Sequence, residues 1–339
     1  MEYIKQFPEL LKGKTVLYVH GFGSSGQSGT VSRLRTVFPN ARVIAPDLPI
    51  HPQEALDLLC ATCQQEQPSL IIGTSMGGMY AEKLYGYDRI CVNPAMQIAD
   101  TMQEHGMTGK QQFFSPRQDG VQEFYVDKPL VKEYKAVTEQ NFAHADDEDE
   151  LKRVVGLFGD EDDLVNTFDL FSSHYPLATH FHGEHRMNDR SFMHSVVPVI
   201  RWIDDRQEKR QRPIIYIGIE TLADAYRKPA SSMMKAISFL IEHYQVFFVA
   251  PSPWKKTGAE VFPWLNEHVG IPAWCHTITT DRRDLLYGDY LIEAPSPWDR
   301  AGGEVFGGEA PLCTLIDFGS DTFKTWEDII EYFSRLGGQ

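Results

Sequence analysis

The sequence predicts an α/β protein made of two successive parallel-sheet domains, and three observations lead there. Short β-branched runs alternate with amphipathic helical runs, first from residue 15 and again from residue 214. Such alternation gives a parallel sheet covered by helices on both faces. A charged, apolar-free stretch from Asp204 to Pro213 separates the two series. In the first series, Leu70-Ile71-Ile72 runs into Gly73-Thr74-Ser75-Met76-Gly77, where a buried strand breaks and a helix resumes at about Met76. That is a G-x-S-x-G elbow, a turn so tight that small residues must flank the serine, which it lifts clear of the sheet. The expected organisation is a first domain over 1–204 with an inserted lid at about 95–150, a linker over 205–213, and a second domain over 214–339.

The first strand is Thr15 to Val19, ending in the turn His20-Gly21-Phe22-Gly23, with a helix starting in the Ser28–Arg35 segment. A second strand, Ala41 to Asp47, precedes an amphipathic helix from Pro52 to Gln64. The elbow strand is third, and Arg89 to Asn93 is a fourth, ended by Pro94. In parallel sheets the chemistry collects at the carboxyl ends of the strands, where Ser75 lies. Gly21, Gly23 and Gly26 also fit a G-x-G-x-x-G dinucleotide fingerprint. The acidic partner that pattern requires is offered only by Asp47, before Leu-Pro, so the serine elbow is the stronger signal.

Residues 95–150 break the rhythm and read as a helical lid. Met96, Met102, Met107, Phe113, Phe114, Phe124 and Tyr125 are its candidate pocket walls or packing residues. The acidic run Asp146–Glu150 reads as a solvated helix start. The sheet resumes at Arg153 to Phe158. The turn after it offers Asp160, Asp162 and Asp163 as competing carboxylates for a Ser–His pair, which needs one to fix the imidazole tautomer. A last strand, Ala178 to His182, leads to Gly183-Glu184-His185-Arg186 and a helix over 191–204. His185 follows the turn glycine and is the expected general base, completing the chain order Ser, Asp, His. His180 and His182 alternate on the strand and read as packing or surface residues.

The formal charge of −15 argues against nucleic acid and anionic membrane surfaces as partners. The N-terminal residues show no signal-peptide pattern and no run reaches membrane-span length. Five scattered cysteines (Cys60, Cys63, Cys91, Cys275, Cys313) suit a reducing compartment, so the cytoplasm is the expected location. Cys60-Ala61-Thr62-Cys63 lies within a helical pattern and reads as inert.

Residues 14–204 resemble the α/β-hydrolase superfamily. The resemblance is to its small YqiA/YcfP-type esterases, through Tyr18–Ser25, Gly73–Gly78 and Val92-Asn93-Pro94-Ala95. It implies a serine carboxylesterase or thioesterase working through an acyl-Ser75 intermediate, with a small-molecule ester or thioester substrate and neither metal nor organic cofactor. Carried over residue by residue, Ser75 is the nucleophile and His185 the base, while the N–H groups of Phe22 and Met76 form the oxyanion hole. The superfamily's Gly-x-x-Asp-x-x-Val turn matches Gly159, Asp162 and Val165, which makes Asp162 the acid.

In the second series the expected elements are strands at Ile214–Ile219, Val246–Ala250, Tyr290–Glu293 and Thr314–Phe318, with helices at Ser231–His243 and Trp326–Leu336. Ala-Pro-Ser-Pro-Trp occurs at 250–254 and again at 294–298. Residues 213–338 resemble the deoxyribonucleotidase branch of the haloacid-dehalogenase-like (HAD-like) phosphatases, with a Rossmann-like sheet. Stretches carrying the likeness include Arg283–Ile292 and Asp317–Asp321. Where that family has its two reacting aspartates this chain reads Gly218 and Glu220. The later hydroxyl position reads Val249 or Ala250, and the late metal-binding pair reads Glu293-Ala294. The resemblance therefore implies a pseudo-phosphatase. It is a candidate for binding a nucleotide or phosphate ligand, for regulating the hydrolase, or for forming a homo-oligomer.

Overall fold

The structure is a computed structural model, and it describes residues 4–225, 231–251, 256–294 and 312–336. The chain divides into two compact units, Met1–Asp204 and Asp205–Gln339.

The first unit has the α/β-hydrolase fold. Strands β1 (Thr15–Val19), β2 (Arg42–Ile44), β3 (Leu70–Thr74) and β4 (Arg89–Val92) alternate with helices α1 (Gly29–Val37), α2 (Pro52–Glu66) and α3 (Met76–Glu82). Next come α4 (Ile98–Glu104), β5 (Gly109–Gln112), β6 (Glu123–Val126), α5 (Lys128–Thr138) and α6 (Glu148–Leu151). Then follow β7 (Val154–Gly159), α7 (Phe168–Ser172), β8 (Ala178–Phe181), α8 (Asp189–Ser191) and α9 (Val197–Gln207). One π turn, Phe192–Val196, joins the last two helices. The main sheet runs β2-β1-β3-β4-β7-β8, and every neighbouring pair is parallel. Strands β1, β3, β4 and β7 are almost wholly buried, as expected of a sheet covered on both faces.

The inserted lid is not wholly helical. It holds an antiparallel ribbon, β5 with β6, in which Gly109 pairs with Val126. Its strands are largely polar and alternate in exposure, a weak sequence signal beside the long apolar runs of the sheet. Helices α4 and α5 carry the lid's apolar side chains into the main core, where Met102, Leu130 and Tyr134 join Ala55 and Leu59.

The acidic run is anchored as well as solvated. Glu150 is 6% exposed, and its carboxylate pairs with the guanidinium of Arg89, which is fully buried on β4. Arg89 also donates to the carbonyl of Glu82, and Glu150 accepts from the N–H of Gly86 at 2.8 Å. Behind α3, Glu82 accepts from Tyr175 at 2.8 Å and from the N–H of Phe142 at 3.1 Å. Neighbouring Lys83 bonds Asn141, and burial pushes its ammonium down to about 8. A buried arginine demands a carboxylate, and the lid supplies it. Glu150→Gln is therefore expected to cost about 3–5 kcal/mol, the usual penalty for leaving a buried charge unpaired, read as a lower urea midpoint of the full chain.

The second unit has its own parallel sheet, ordered β11-β10-β9-β12-β13. Its strands are β9 (Ile214–Gly218), β10 (Gln245–Ala250), β11 (Thr277–Thr279), β12 (Tyr290–Glu293) and β13 (Thr314–Asp317). Helices α10 (Ser231–His243), α11 (Lys256–His268) and α12 (Trp326–Leu336) accompany them. The short β11 and α11, which carries an internal Pro263, are additions to the expected elements. Proline weakens a helical pattern, which accounts for the omission. The repeated Ala-Pro-Ser-Pro-Trp segments lie mostly in 252–255 and 295–311, outside the described residues. No helix among the described residues is long and apolar enough to cross a membrane.

Candidate active site

Ser75 stands between β3 and α3 with φ 56° and ψ −123°. For a non-glycine residue this conformation costs of order 1–3 kcal/mol, so its surroundings must hold it. Its N–H donates to Val92 O at 2.9 Å, and its carbonyl accepts from Ala95 N at 3.0 Å and Gly78 N at 2.8 Å. The flanking glycines are required by contact. A Cβ at Gly77 would lie 2.0 Å from Val19 O, and one at Gly73 would lie 2.2 Å from Gly77 O. A Cβ at Gly21 would press on Ser75 Cβ at 3.2 Å.

His185 sits in the loop after β8 and meets Ser75 from above the strand ends. Its Nδ1 donates to Asp162 Oδ2 at 2.7 Å, and its Nε2 accepts from the Ser75 hydroxyl at 3.1 Å. Asp162 is the carboxylate that reaches the imidazole. Its other oxygen accepts from the N–H groups of Leu164 and Val165, each at 2.9 Å, which explains the Gly-x-x-Asp-x-x-Val spacing. Burial pushes the Asp162 carboxyl up, but the bond from His185 and the two backbone N–H groups outweigh it and hold the group below its ordinary value. Asp160 is exposed and accepts instead from Gly183 N at 3.0 Å, while Asp163 is exposed. His182 is exposed beside Asp160, and His180 packs on Phe168 with ring centroids 4.0 Å apart and the planes tilted by 41°.

Phe22 follows Gly21 and lines the same cavity as Ser75. Met76 opens α3, so its N–H is among those that no helical carbonyl accepts. The preceding turn is fixed by His20, which is 2% exposed. Its Nδ1 donates to Gly21 O at 2.9 Å and its Nε2 accepts from Leu48 N at 3.1 Å. Asp47, the weak point of the dinucleotide reading, accepts from Gly26 N at 2.8 Å and from Gln118 N of the lid at 2.7 Å. It ties the glycine turn to the lid.

One further residue holds the site together from below. Asn93, 1% exposed and with φ 43°, ends β4 and bridges the two loops that carry Asp162 and His185. Its Oδ1 accepts from Gly159 N at 2.7 Å and its Nδ2 donates to His185 O at 3.0 Å. The available signal was an asparagine at a strand end before proline, since asparagine tolerates positive φ better than most residues.

The cavity over Ser75 measures about 310 Å³. Of the lid residues considered as pocket walls, Phe114 lines it, whereas Met96 and Met102 are buried in the core and Phe113 packs on Phe124. Phe114 donates its N–H to Gly23 O at 2.7 Å, and Ser25 Oγ donates to Pro116 O at 2.7 Å, so the lid is stitched to the Gly21–Gly26 turn.

In the second unit Gly218 ends β9, and a Cβ there would lie 2.3 Å from Glu220 Oε1. Arg283 bonds Glu293 at 3.0 Å and faces Glu220 at 3.5 Å. Burial raises Glu220 to about 7 against the pull of Arg283. Among the described residues, no group of three or more His, Cys, Asp or Glu side chains is arranged to hold a metal ion.

Residues 15–166 match the model of an uncharacterised protein family, UPF0227. A Vibrio phage KVP40 protein described as "Putative 5'(3')-deoxyribonucleotidase" is 24% identical over 159 residues, covering 38% of this chain and 89% of its own. Among solved structures, Est1E from Butyrivibrio proteoclasticus is 15% identical with a TM-score of 0.39, covering 59% of this chain and 88% of its own. A thioesterase domain from the curacin biosynthetic pathway is 16% identical with a TM-score of 0.34, covering 59% and 92%. The fold assignment rests on the strand order and the elbow. Because Gly77 abuts Val19 O, Gly77→Ala is expected to abolish soluble, cooperatively melting protein, as judged by expression and thermal denaturation.

Proposed function

We propose that the first unit is a serine hydrolase of carboxyl esters or thioesters. The observation carrying this reading is the continuous chain Asp162–His185–Ser75, with contacts of 2.7 and 3.1 Å, ending on a serine at a strained elbow. His185 Nε2 takes the hydroxyl proton as Ser75 Oγ attacks the carbonyl carbon. The oxyanion that develops would be held by the N–H groups of Phe22, which follows Gly21, and Met76, which follows Ser75 at the start of α3. The proton on His185 passes to the leaving alcohol or thiol, whose bond to the carbonyl carbon breaks, leaving acyl-Ser75. Water then gives its proton to His185 and attacks the acyl carbon, and the acid departs as Ser75 recovers its proton. Asp162 keeps the proton on Nδ1 and stabilises the imidazolium without being protonated itself.

Hydrolysis of short 4-nitrophenyl esters without added metal tests this reading. Ser75→Ala is expected to lose all turnover above background. Asp162→Asn should fall about 10³–10⁴-fold through the wrong tautomer. Asn93→Ala should lower kcat more than it raises KM, because it frees the backbone of His185. Equal rates for wild type and a folded Ser75→Ala would refute the mechanism.

A specific observation also supports a second reading, for the other unit. The strand ends where a HAD-like phosphatase reacts hold Gly218, and Arg283 occupies the space between Glu220 and Glu293. Without an aspartate nucleophile no phospho-enzyme forms. We read this unit as a non-catalytic domain, with ligand binding, regulation or self-association as its role. Full-length protein with Mg²⁺ and deoxynucleoside monophosphates is expected to release no phosphate, and release at enzymatic rates would overturn this reading.

A further inference from the structure

The cavity over Ser75 departs from the charge of the chain around it. The protein carries 47 acidic against 32 basic residues. The cavity nevertheless has Arg33 and Arg186 in its lining and no Asp or Glu. Arg186 is exposed and lies over the Phe114 ring, its guanidinium carbon 5.0 Å from the centroid. Arg33 lies deeper, with its side chain 15% exposed. It spends Nε on Asp189 Oδ1 at 2.7 Å, while Nη1 and Nη2 have no hydrogen-bond partner among the described residues.

The helix that carries Arg33 begins in the same cavity. Ser28 is the N-cap of α1, yet its hydroxyl caps no N–H; the buried Oγ lies near the Tyr18 hydroxyl, which is itself bonded to Thr74 Oγ1 at 2.7 Å, and makes no well-formed hydrogen bond among the described residues. The first turn of α1 contains no acidic residue. Ser28, Gly29 and Thr30 all line the cavity, and a Cβ built at Gly29 meets nothing within 4 Å. An uncapped helix start presents N–H groups and a positive dipole end to whatever lies before it. The arginine and the serine hydroxyl are separate observations, and both suit an anionic group of a ligand. Such a group would accept from Arg33, Ser28 and the first-turn N–H groups together.

We propose that this end of the cavity binds a carboxylate of the substrate, so that the preferred substrates are short esters or thioesters carrying a carboxylate a few atoms from the scissile carbonyl. The inference rests on the serine-hydrolase reading and narrows its substrate class. The cavity volume, at the small end of the ~300–1,000 Å³ usual for ligand sites, suits a compact molecule. Placing an anion there positions the carbonyl over Ser75 by binding energy remote from the reacting bond.

The test compares kcat/KM for two matched pairs of esters. In the first, mono-(4-nitrophenyl) glutarate carries the charge on the acyl group and 4-nitrophenyl valerate is its neutral match. In the second, 4-carboxyphenyl and 4-methylphenyl butyrate place or omit the charge on the leaving group, with each rate divided by its uncatalysed rate. Expected is a preference of tenfold or more for the anionic member of one pair. That ratio should drop at least tenfold in Arg33→Met, recover in part in Arg33→Lys, and shrink with added salt. No anionic preference in either pair, or a ratio unchanged in folded Arg33→Met, overturns the proposal. Should Arg33→Met fail to fold, Ser28→Val takes its place with the same criterion. Calorimetric titration of monomethyl glutarate into Ser75→Ala separates this inference from the reading beneath it. Saturable binding that Arg33→Met abolishes upholds the anion site even if both neutral esters are inert, which would count against the hydrolase alone. Absence of binding overturns the site even if the neutral esters are cleaved.

Discussion

The start of α3 packs against the sheet with no room for a side chain between them. Gly77 sits so near the carbonyl of Val19 that no side chain fits, and Gly73 is as close to Gly77 O. This contact forces the chain to turn within one residue, and Ser75 absorbs the turn at φ 56°. Everything else at the site follows from that turn. The serine hydroxyl stands above the strand ends, and the helix behind it begins with unbonded N–H groups. Gly21 must stay small so that the first turn can pass beside Ser75. Tight packing is thus converted into an exposed, oriented hydroxyl.

Around this point the partner loops are held from outside the Asp–His–Ser chain. Asn93 clamps the backbone of both the Asp162 loop and the His185 loop, so the two side chains are referenced to the end of one central strand. The lid is tied down at both ends. Its ribbon end bonds the Gly21–Gly26 turn through Phe114 and Ser25, and its far end supplies Glu150 to the buried Arg89. A charge as deep as Arg89 would be untenable alone, and this gives the insertion a fixed seat. The cavity left between lid and sheet is small, arginine-lined and free of carboxylates, unlike the acidic chain that encloses it.

The second unit repeats the parallel-sheet plan, with polar chemistry at the carboxyl ends of its strands and a different outcome. Gly218 leaves room for the Glu220 carboxylate to fold back, and Arg283 sets one positive charge against Glu220 and Glu293. The arrangement leaves Glu220 with a raised proton affinity, caused first by burial.

The sequence by itself determined the strand–helix alternation, the elbow at Ser75 and the histidine loop. Each is written in local signals: β-branched runs, glycines at a forced turn, and a turn glycine before His185. The lid ribbon was not legible, because its short polar strands lack the apolar contrast that marks the buried sheet. Chain order alone left Asp160, Asp162 and Asp163 in competition, and the likeness of Gly159, Asp162 and Val165 to the hydrolase turn singled out Asp162, whose carboxylate the two N–H groups of that turn hold. Tertiary structure alone decided that Glu150 leaves solvent for Arg89, and that Arg33 and the uncapped start of α1 meet Ser75 in one cavity. These are contacts between residues far apart in the chain. Their energy depends on burial and geometry that no local spacing encodes.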